Sequence, residues 1–187
     1  MDEPDRSRSA RASTLRSAME RTAINRGRRN LLTGRRLSLP DRVRPPWSRA
    51  GSIAAACSGC GACVPACPQH IIALDESGRP ALDFTGNECS FCGACADACP
   101  EPVFDRAIAA FDHVATIGPA CFASRGIVCQ SCGDACPESA IRFRSRLGGP
   151  ALPELAADRC IGCGACMAAC PAQAVAVSPR VAEAAHG

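Results

Sequence analysis

The chain has no lysine and no tyrosine, a single tryptophan, three histidines and six phenylalanines among its 187 residues. So few aromatics leave little bulky material for a hydrophobic interior, and units of roughly 60–75 residues built from such a chain need a metal or covalent staple. Long apolar runs are missing as well. A secretory signal requires about 7–15 apolar residues behind a basic start, and arginine breaks the first fifty residues every few positions. No segment approaches the roughly 18 apolar residues of a membrane-spanning helix. These absences point to a soluble cytoplasmic chain, whose thiols stay reduced or metal-bound. Rossmann and phosphate-loop glycine patterns are absent too, and His70, His113 and His186 do not cluster in sequence. A chain without these features is not expected to be an enzyme.

What is abundant is cysteine. There are sixteen, a density that in a short secreted protein would imply a disulfide scaffold and in a cytoplasmic one implies metal. Their order is repetitive. Cys57-Ser-Gly-Cys60-Gly-Ala-Cys63-Val-Pro-Ala-Cys67-Pro68 returns as Cys89-Ser-Phe-Cys92-Gly-Ala-Cys95-Ala-Asp-Ala-Cys99-Pro100. It returns again as Cys160-Ile-Gly-Cys163-Gly-Ala-Cys166-Met-Ala-Ala-Cys170-Pro171. A looser copy uses Cys121, Cys129, Cys132 and Cys136, followed by Pro137, and no cysteine is left over.

Cys-x2-Cys-x2-Cys lets a short loop present three thiolates to one small object, and Gly61, Gly93 and Gly164 after the second cysteine help the loop curl back. Zinc takes its four ligands from two separated pairs, so this spacing favours [4Fe–4S] cubanes, up to four of them. In two-cluster ferredoxins the cysteine before proline ligates the other cluster. That crossover predicts the sets Cys57, Cys60, Cys63 and Cys99; Cys67, Cys89, Cys92 and Cys95; Cys136, Cys160, Cys163 and Cys166; and Cys121, Cys129, Cys132 and Cys170. The last set has a seven-residue first gap and Gln130-Ser131 in place of Gly-Ala, so a three-iron or labile cluster is open there. A nested pairing of copies one with four and two with three is also open, and changes only the fourth ligands.

Between the motifs, His70–Leu74 and Ala81–Phe84 flank a turn-rich stretch and read as a hairpin, as do Ala140–Phe143 and Ala151–Leu155 around Leu147-Gly-Gly-Pro150. Ala174–Val177 reads as a closing strand, and Asp105–Phe111 as more helical than extended. The expected fold is α+β: two tandem ferredoxin-like units, residues 51–108 and 109–178, behind a flexible Arg-rich extension over 1–50 and before a tail over 179–187. Residues 1–50 hold 13 arginines against 5 acidic residues, and 51–187 hold 8 against 13. Each oxidised cluster with its four thiolates adds about −2, which makes a basic arm on an acidic body. No aromatic interleaves the arm's arginines before Trp47, so a solvated arm is expected rather than a nucleic-acid interface. Arg28-Arg29 has the look of a twin-arginine signal, but the chain continues Arg35-Arg-Leu-Ser-Leu-Pro-Asp-Arg42 without the apolar stretch such a signal needs.

Arg28-Arg-Asn-Leu-Leu-Thr-Gly-Arg35, Arg44-Pro-Pro-Trp-Ser48, Glu88-Cys-Ser-Phe-Cys-Gly-Ala-Cys95 and the wide Cys121-x7-Cys129 gap preceded by Thr116-Ile-Gly118 resemble the NapF family, ferredoxin-type accessory proteins of periplasmic nitrate reductase systems. The resemblance covers residues 26 to 178. It implies a cytoplasmic partner, the precursor of the catalytic subunit NapA, whose own [4Fe–4S] centre the family is thought to help load or reduce before export. Arg28, Arg29, Arg35 and Trp47 match the family without being cysteines, which makes them candidates for docking; the alternative for Trp47 is that it caps the first cluster unit. Met19 would place a start at the usual family length. A second reading of the same cysteines is a polyferredoxin carrier serving a membrane quinol or reductase complex.

Overall fold

Loops interrupted by glycine, cysteine and proline every few residues leave room only for short elements. The computed structural model describes residues 42–180. Five helices are present among them: α1 (Ala50–Ala56), α2 (Cys63–Ala66), α3 (Ala94–Asp97), α4 (Ser131–Asp134) and α5 (Ala165–Ala168). All but α1 are single turns. Each carries the third cysteine of a motif, and the next cysteine, tied to a following proline, lies just beyond its end. The residue before a proline is biased away from helix. Helix α1 opens at Arg49, whose amide donates to Ser52 Oγ at 3.0 Å, and ends where Cys57 turns extended at φ −70° and ψ 118°.

The strands are β1 (Ile72–Leu74), β2 (Pro80–Leu82), β3 (His113–Ile117), β4 (Ile141–Arg146), β5 (Gly149–Leu155) and β6 (Val175–Pro179). They form three two-stranded antiparallel ribbons. The β1–β2 hairpin pairs Ile72 with Leu82 and Leu74 with Pro80. Its turn is held by Asp75, whose carboxylate accepts from the Ser77 hydroxyl, the Ser77 and Arg79 amides and the Arg44 guanidinium. The β4–β5 hairpin runs from Ile141↔Leu155 to Arg146↔Gly149, longer than the sequence suggests. The expected closing strand is β6, and its partner is β3, with Val114 opposite Ser178 and Ile117 opposite Val175.

Asp105–Phe111 is not helical. It is a succession of turns and bends, because its polar ends are engaged elsewhere. The Asp105 amide donates to the Trp47 carbonyl at 2.8 Å, and its side chain accepts the Ala107 amide at 2.9 Å, an Asx turn that competes with helix. Arg106 reaches away to the Gly93 carbonyl and the Asp97 carboxylate.

The expected N-terminal extension over 1–50 divides. Residues 1–41 lie outside the described residues, and with them the flexibility expected there and the candidates Arg28, Arg29 and Arg35. Residues 42–50 belong to the body, and the compact unit begins at Arg42. The Val43 carbonyl accepts the Leu82 amide at 2.8 Å, Arg44 pairs with Asp75 at 2.9 Å, and Pro45, Pro46 and Ser48 are buried. Proline at 45 and 46 supplies pre-set backbone and no free donors, which suits a strap laid across a sheet edge. Of the expected tail over 179–187, Pro179 ends β6, and the Arg180 guanidinium donates to the Ala157 and Cys160 carbonyls. Residues 181–187 lie outside the described residues.

The interior is made largely of sulfur and small groups. One cluster gathers Cys63, Cys67, Ile71, Ile72, Phe84, Cys89, Cys95 and Phe111; a second gathers Ala115, Cys132, Ile141, Cys166 and Val175. Ferredoxin-like halves follow one another, and the mixture of short helices and ribbons is α+β. No helix among the described residues is long and apolar enough to cross a membrane.

Candidate metal centres

Four cavities are each lined by four cysteines, three from one loop and the fourth from elsewhere. Cys57, Cys60, Cys63 and Cys99 line the first, with Leu74 and Phe104. The second is lined by Cys67, Cys89, Cys92 and Cys95, with Ile71 and Leu82. Cys136, Cys160, Cys163 and Cys166 line the third, and Cys121, Cys129, Cys132 and Cys170 the fourth. Mouths included, the four enclose about 360, 320, 400 and 330 Å³ in that order. Cys63 and Cys67 stand at the start and just past the end of α2 yet face different cavities, and Cys95 and Cys99 do the same around α3. The cysteines are gathered by copies one with two and three with four, not in the nested arrangement.

Three of the four loops owe their shape to backbone that turns left-handed around the second cysteine. Gly61, Gly93 and Gly164 have φ of 75°, 79° and 86°, as the motif predicts. The residue before that cysteine is left-handed too, Gly59 and Gly162 at 75° and Phe91 at 54°. Phe91 accepts this conformation without being glycine because its ring is locked between Trp47 (centroids 6.4 Å apart) and Phe111 (5.7 Å). Trp47 therefore caps the first half, where Arg106 lies over its face at 5.8 Å.

A second device follows the fourth cysteine. After Cys67-Pro, Cys136-Pro and Cys170-Pro, the third residue along is left-handed: His70 at 53°, Ser139 at 48° and Gln173 at 47°. Each donates its amide to the carbonyl of its cysteine at 3.1 Å. The turn aims the next amide at sulfur, so that Ala140 N–H donates to Cys136 Sγ and Ala174 N–H to Cys170 Sγ, both at 3.3 Å. Cys99 departs from this pattern, since a second proline at 102 replaces the turn. His70 itself is exposed, and its contribution is conformational. Nothing in the sequence signals these three positions, because none is glycine or asparagine.

The irregular copy is not slack. Cys121 N–H donates to the Gly118 carbonyl at 3.1 Å, Arg125 N–H to the Cys121 carbonyl at 3.1 Å and Ile127 N–H to the Phe122 carbonyl at 2.9 Å. The seven-residue gap is a self-bonded turn that buries Cys121 and carries Ile127 and Val128, 53 % and 79 % exposed, at its rim.

These cavities suit a cationic iron–sulfide core. All sixteen cysteines are free thiols, and the other ionisable side chains lining the four are Glu101 at the first and Glu138 at the third, with no histidine or aspartate. Among the described residues no three His, Cys, Asp or Glu side chains converge as they would on a single ion, so each set surrounds a space, not a point. Burial, reinforced by neighbouring thiols, pushes the Cys95 and Cys166 thiols up to about 12 and those of Cys89 and Cys132 to about 11. Cys63 and Cys163 are raised by burial as well. Four thiolates crowded in such a space are stable only around compensating positive charge.

The description "4Fe-4S dicluster domain" matches residues 56–103, with all eight cysteines of the first two cavities, and again 126–174, with those of the other two except Cys121. The ferredoxin-type protein NapF of Escherichia coli (strain K12) is 44% identical over 134 residues, 71% of this chain and 82% of that protein. The ferredoxin-type protein NapF of Haemophilus influenzae (strain ATCC 51907 / DSM 11121 / KW20 / Rd) is 41% identical over 113 residues, 59% of this chain and 64% of that protein. Two dicluster matches, sixteen cysteines and this breadth of identity lead to one assignment: the chain belongs to the NapF family of ferredoxin-type iron–sulfur proteins and carries several [4Fe–4S] clusters.

Proposed function

We propose that the four cysteine sets are the cluster ligands, Cys57/Cys60/Cys63/Cys99, Cys67/Cys89/Cys92/Cys95, Cys136/Cys160/Cys163/Cys166 and Cys121/Cys129/Cys132/Cys170, in ferredoxin-like units over 51–108 and 109–178. The protein then serves as a cytoplasmic accessory protein that assists the iron–sulfur loading or reduction of the NapA precursor before export. The observation that carries the ligand reading is the exchange of the fourth cysteine between neighbouring loops in both halves, which supports two-cluster packing as in ferredoxins. The NapA role is supported by membership of the NapF family.

A bound [4Fe–4S] group supplies one-electron redox chemistry at low to moderate potential. The chain's own groups would set where that potential lies. Ala140 and Ala174 amides donate to ligand sulfur and favour the more reduced, more negative state of their sites. Ile71, Ile72, Ile141 and Val175 keep water from the inner faces. Cys60 and Cys92 are exposed and face solvent, offering short routes to a partner.

Anaerobic purification with iron and sulfide analysis, EPR and a pull-down against the cytoplasmic NapA precursor tests both parts. About sixteen irons per chain are expected from four cubanes, together with capture of the precursor. A full iron complement without capture favours the carrier serving a quinol or reductase complex, and iron far below that level refutes the ligand sets.

A further inference from the structure

The two halves meet at a seam between the second and third cavities, closed by backbone and aromatic rings. Cys89 N–H donates to the Cys163 carbonyl at 2.8 Å. Cys89 lines the second cavity and Cys163 the third. Beside this bond Phe84, 2 % exposed, lies over Gly164, where any Cβ would run into the ring. One residue before Cys163, Gly162 passes close under His113 and Phe111; a Cβ there would stand 2.9 Å from His113 Nε2 and 3.0 Å from Phe111 Cβ. His113 Nε2–H donates to the Gly162 carbonyl at 2.9 Å, and the His113 and Phe111 rings are 4.6 Å apart. The left-handed backbone and missing side chain at 164 thus let this cluster loop lie directly against Phe84 of the first half, while Gly162 leaves room for His113 and Phe111 of its own half.

Building on the ligand sets above, we propose that this seam joins the four sites into one row for single electrons: first, second, third and fourth cavity in that order, with the Cys89–Cys163 hydrogen bond as the middle link. Within each half the neighbours are already joined, since α2 and α3 bind the first cavity to the second and α4 and α5 bind the third to the fourth. Across the seam, the path from Cys89 sulfur to Cys163 sulfur runs through the backbone of each residue and one hydrogen bond. Electron transfer falls steeply with distance and follows bonded paths, so this hydrogen bond gives the halves a short covalent-and-hydrogen-bonded bridge. A one-electron donor at one end loses an electron and a one-electron acceptor at the other gains it. With clusters held by these cysteine sets, each internal step would oxidise one site and reduce the next by one electron, with no bond made or broken.

The full chain carrying Cys57→Ala and Cys121→Ala tests the middle link, because both end sites lose a ligand while the two central sites keep all four. After dithionite reduction its EPR spectrum is expected to show two clusters that still broaden and split each other, with half the wild-type iron. The companion Cys92→Ala/Cys160→Ala chain, which keeps only the ends, is expected to show two sharp, independent signals. Independent signals from the first variant, at an iron content of two clusters, overturn the row while leaving the ligand sets intact. A wild-type chain without four clusters overturns the ligand sets instead. Should the first variant lose its iron, amide exchange on the intact holoprotein decides: the Cys89 amide is expected to exchange at least a hundredfold more slowly than the exposed β4–β5 turn, and equal rates overturn the seam.

Discussion

At the residue scale, the spacing of the cysteines marked three members of each set that lines a cavity, while the fourth came from the two-cluster crossover rule and left a nested pairing open. The left-handed residues three positions past Cys-Pro were not legible. His70, Ser139 and Gln173 carry side chains that ordinarily avoid φ near +50°, and the strain is held by the carbonyl of the cysteine behind and the ribbon ahead. A non-glycine residue in this region costs on the order of 1–3 kcal/mol. Gln173→Gly is therefore expected to raise holoprotein stability by about 1 kcal/mol. Gln173→Val, branched at Cβ, is expected to lower it by about 2 kcal/mol and to weaken the Ala174 N–H to Cys170 sulfur bond. Thermal melts followed by cluster absorbance separate the two, and the reduction potential of the Cys170 site should move only in the valine variant. Phe91 shows the other reason for illegibility: its backbone is permitted by a stack of rings from residues 47 and 111, which no local pattern contains.

Among the elements, the two hairpins were visible because their turns and alternating residues are local. The β3–β6 ribbon was only half visible, since β6 ends the last motif's segment whereas its partner begins some sixty residues earlier, in a linker read as helical around 105–111. There, local propensity lost to Trp47, Gly93 and Asp97, which draw Asp105 and Arg106 out of any helix. Strand β3 also delivers His113, whose buried ring the sequence marked only as one of three scattered histidines. Burial holds its pKa below the usual 6.5, with the Gly162 carbonyl and Asp112 pulling upward and Arg180 and Arg49 pulling downward. The stability gained from a neutral His113 is present above pH 6.5 and is lost as pH falls through its lower folded value. The holoprotein is expected to lose thermal stability on acidification below pH 6.5 more steeply than His113→Phe, which keeps a ring but has nothing to protonate. Parallel curves from melts across pH 5 to 8 (about the histidine range) would remove His113 as the cause.

For the molecule as a whole, the scarcity of aromatics foretold the kind of interior found. Phe84 and Phe111 are the aromatic members of the core clusters, and cysteines supply much of what surrounds them. Such a core cannot close on itself without the group its thiols surround, and folding free energy is then metal-binding free energy. Stripping the clusters with a chelator under oxidising conditions is expected to abolish near-ultraviolet and far-ultraviolet dichroism together, in one transition. Retention of the three ribbons in iron-free protein would show that the polypeptide holds its shape unaided. What the sequence could not convey at this scale was how closely the halves adjoin, because the contact rests on an absent side chain at Gly164, on the ring of Phe84 and on one backbone hydrogen bond.

The swapped cysteines at the ends of α2 and α3, and their counterparts in the second half, also bear on how the protein is made. With the ligand sets proposed above, nothing upstream of Cys95 completes a site, and Cys99 completes another four residues later; the remaining two wait for Cys166 and Cys170. A chain emerging from the ribosome thus becomes ready for iron in two brief bursts, each finishing a pair almost at once, and between them a long stretch of reactive thiol must be sheltered from oxygen by whatever machinery delivers the metal.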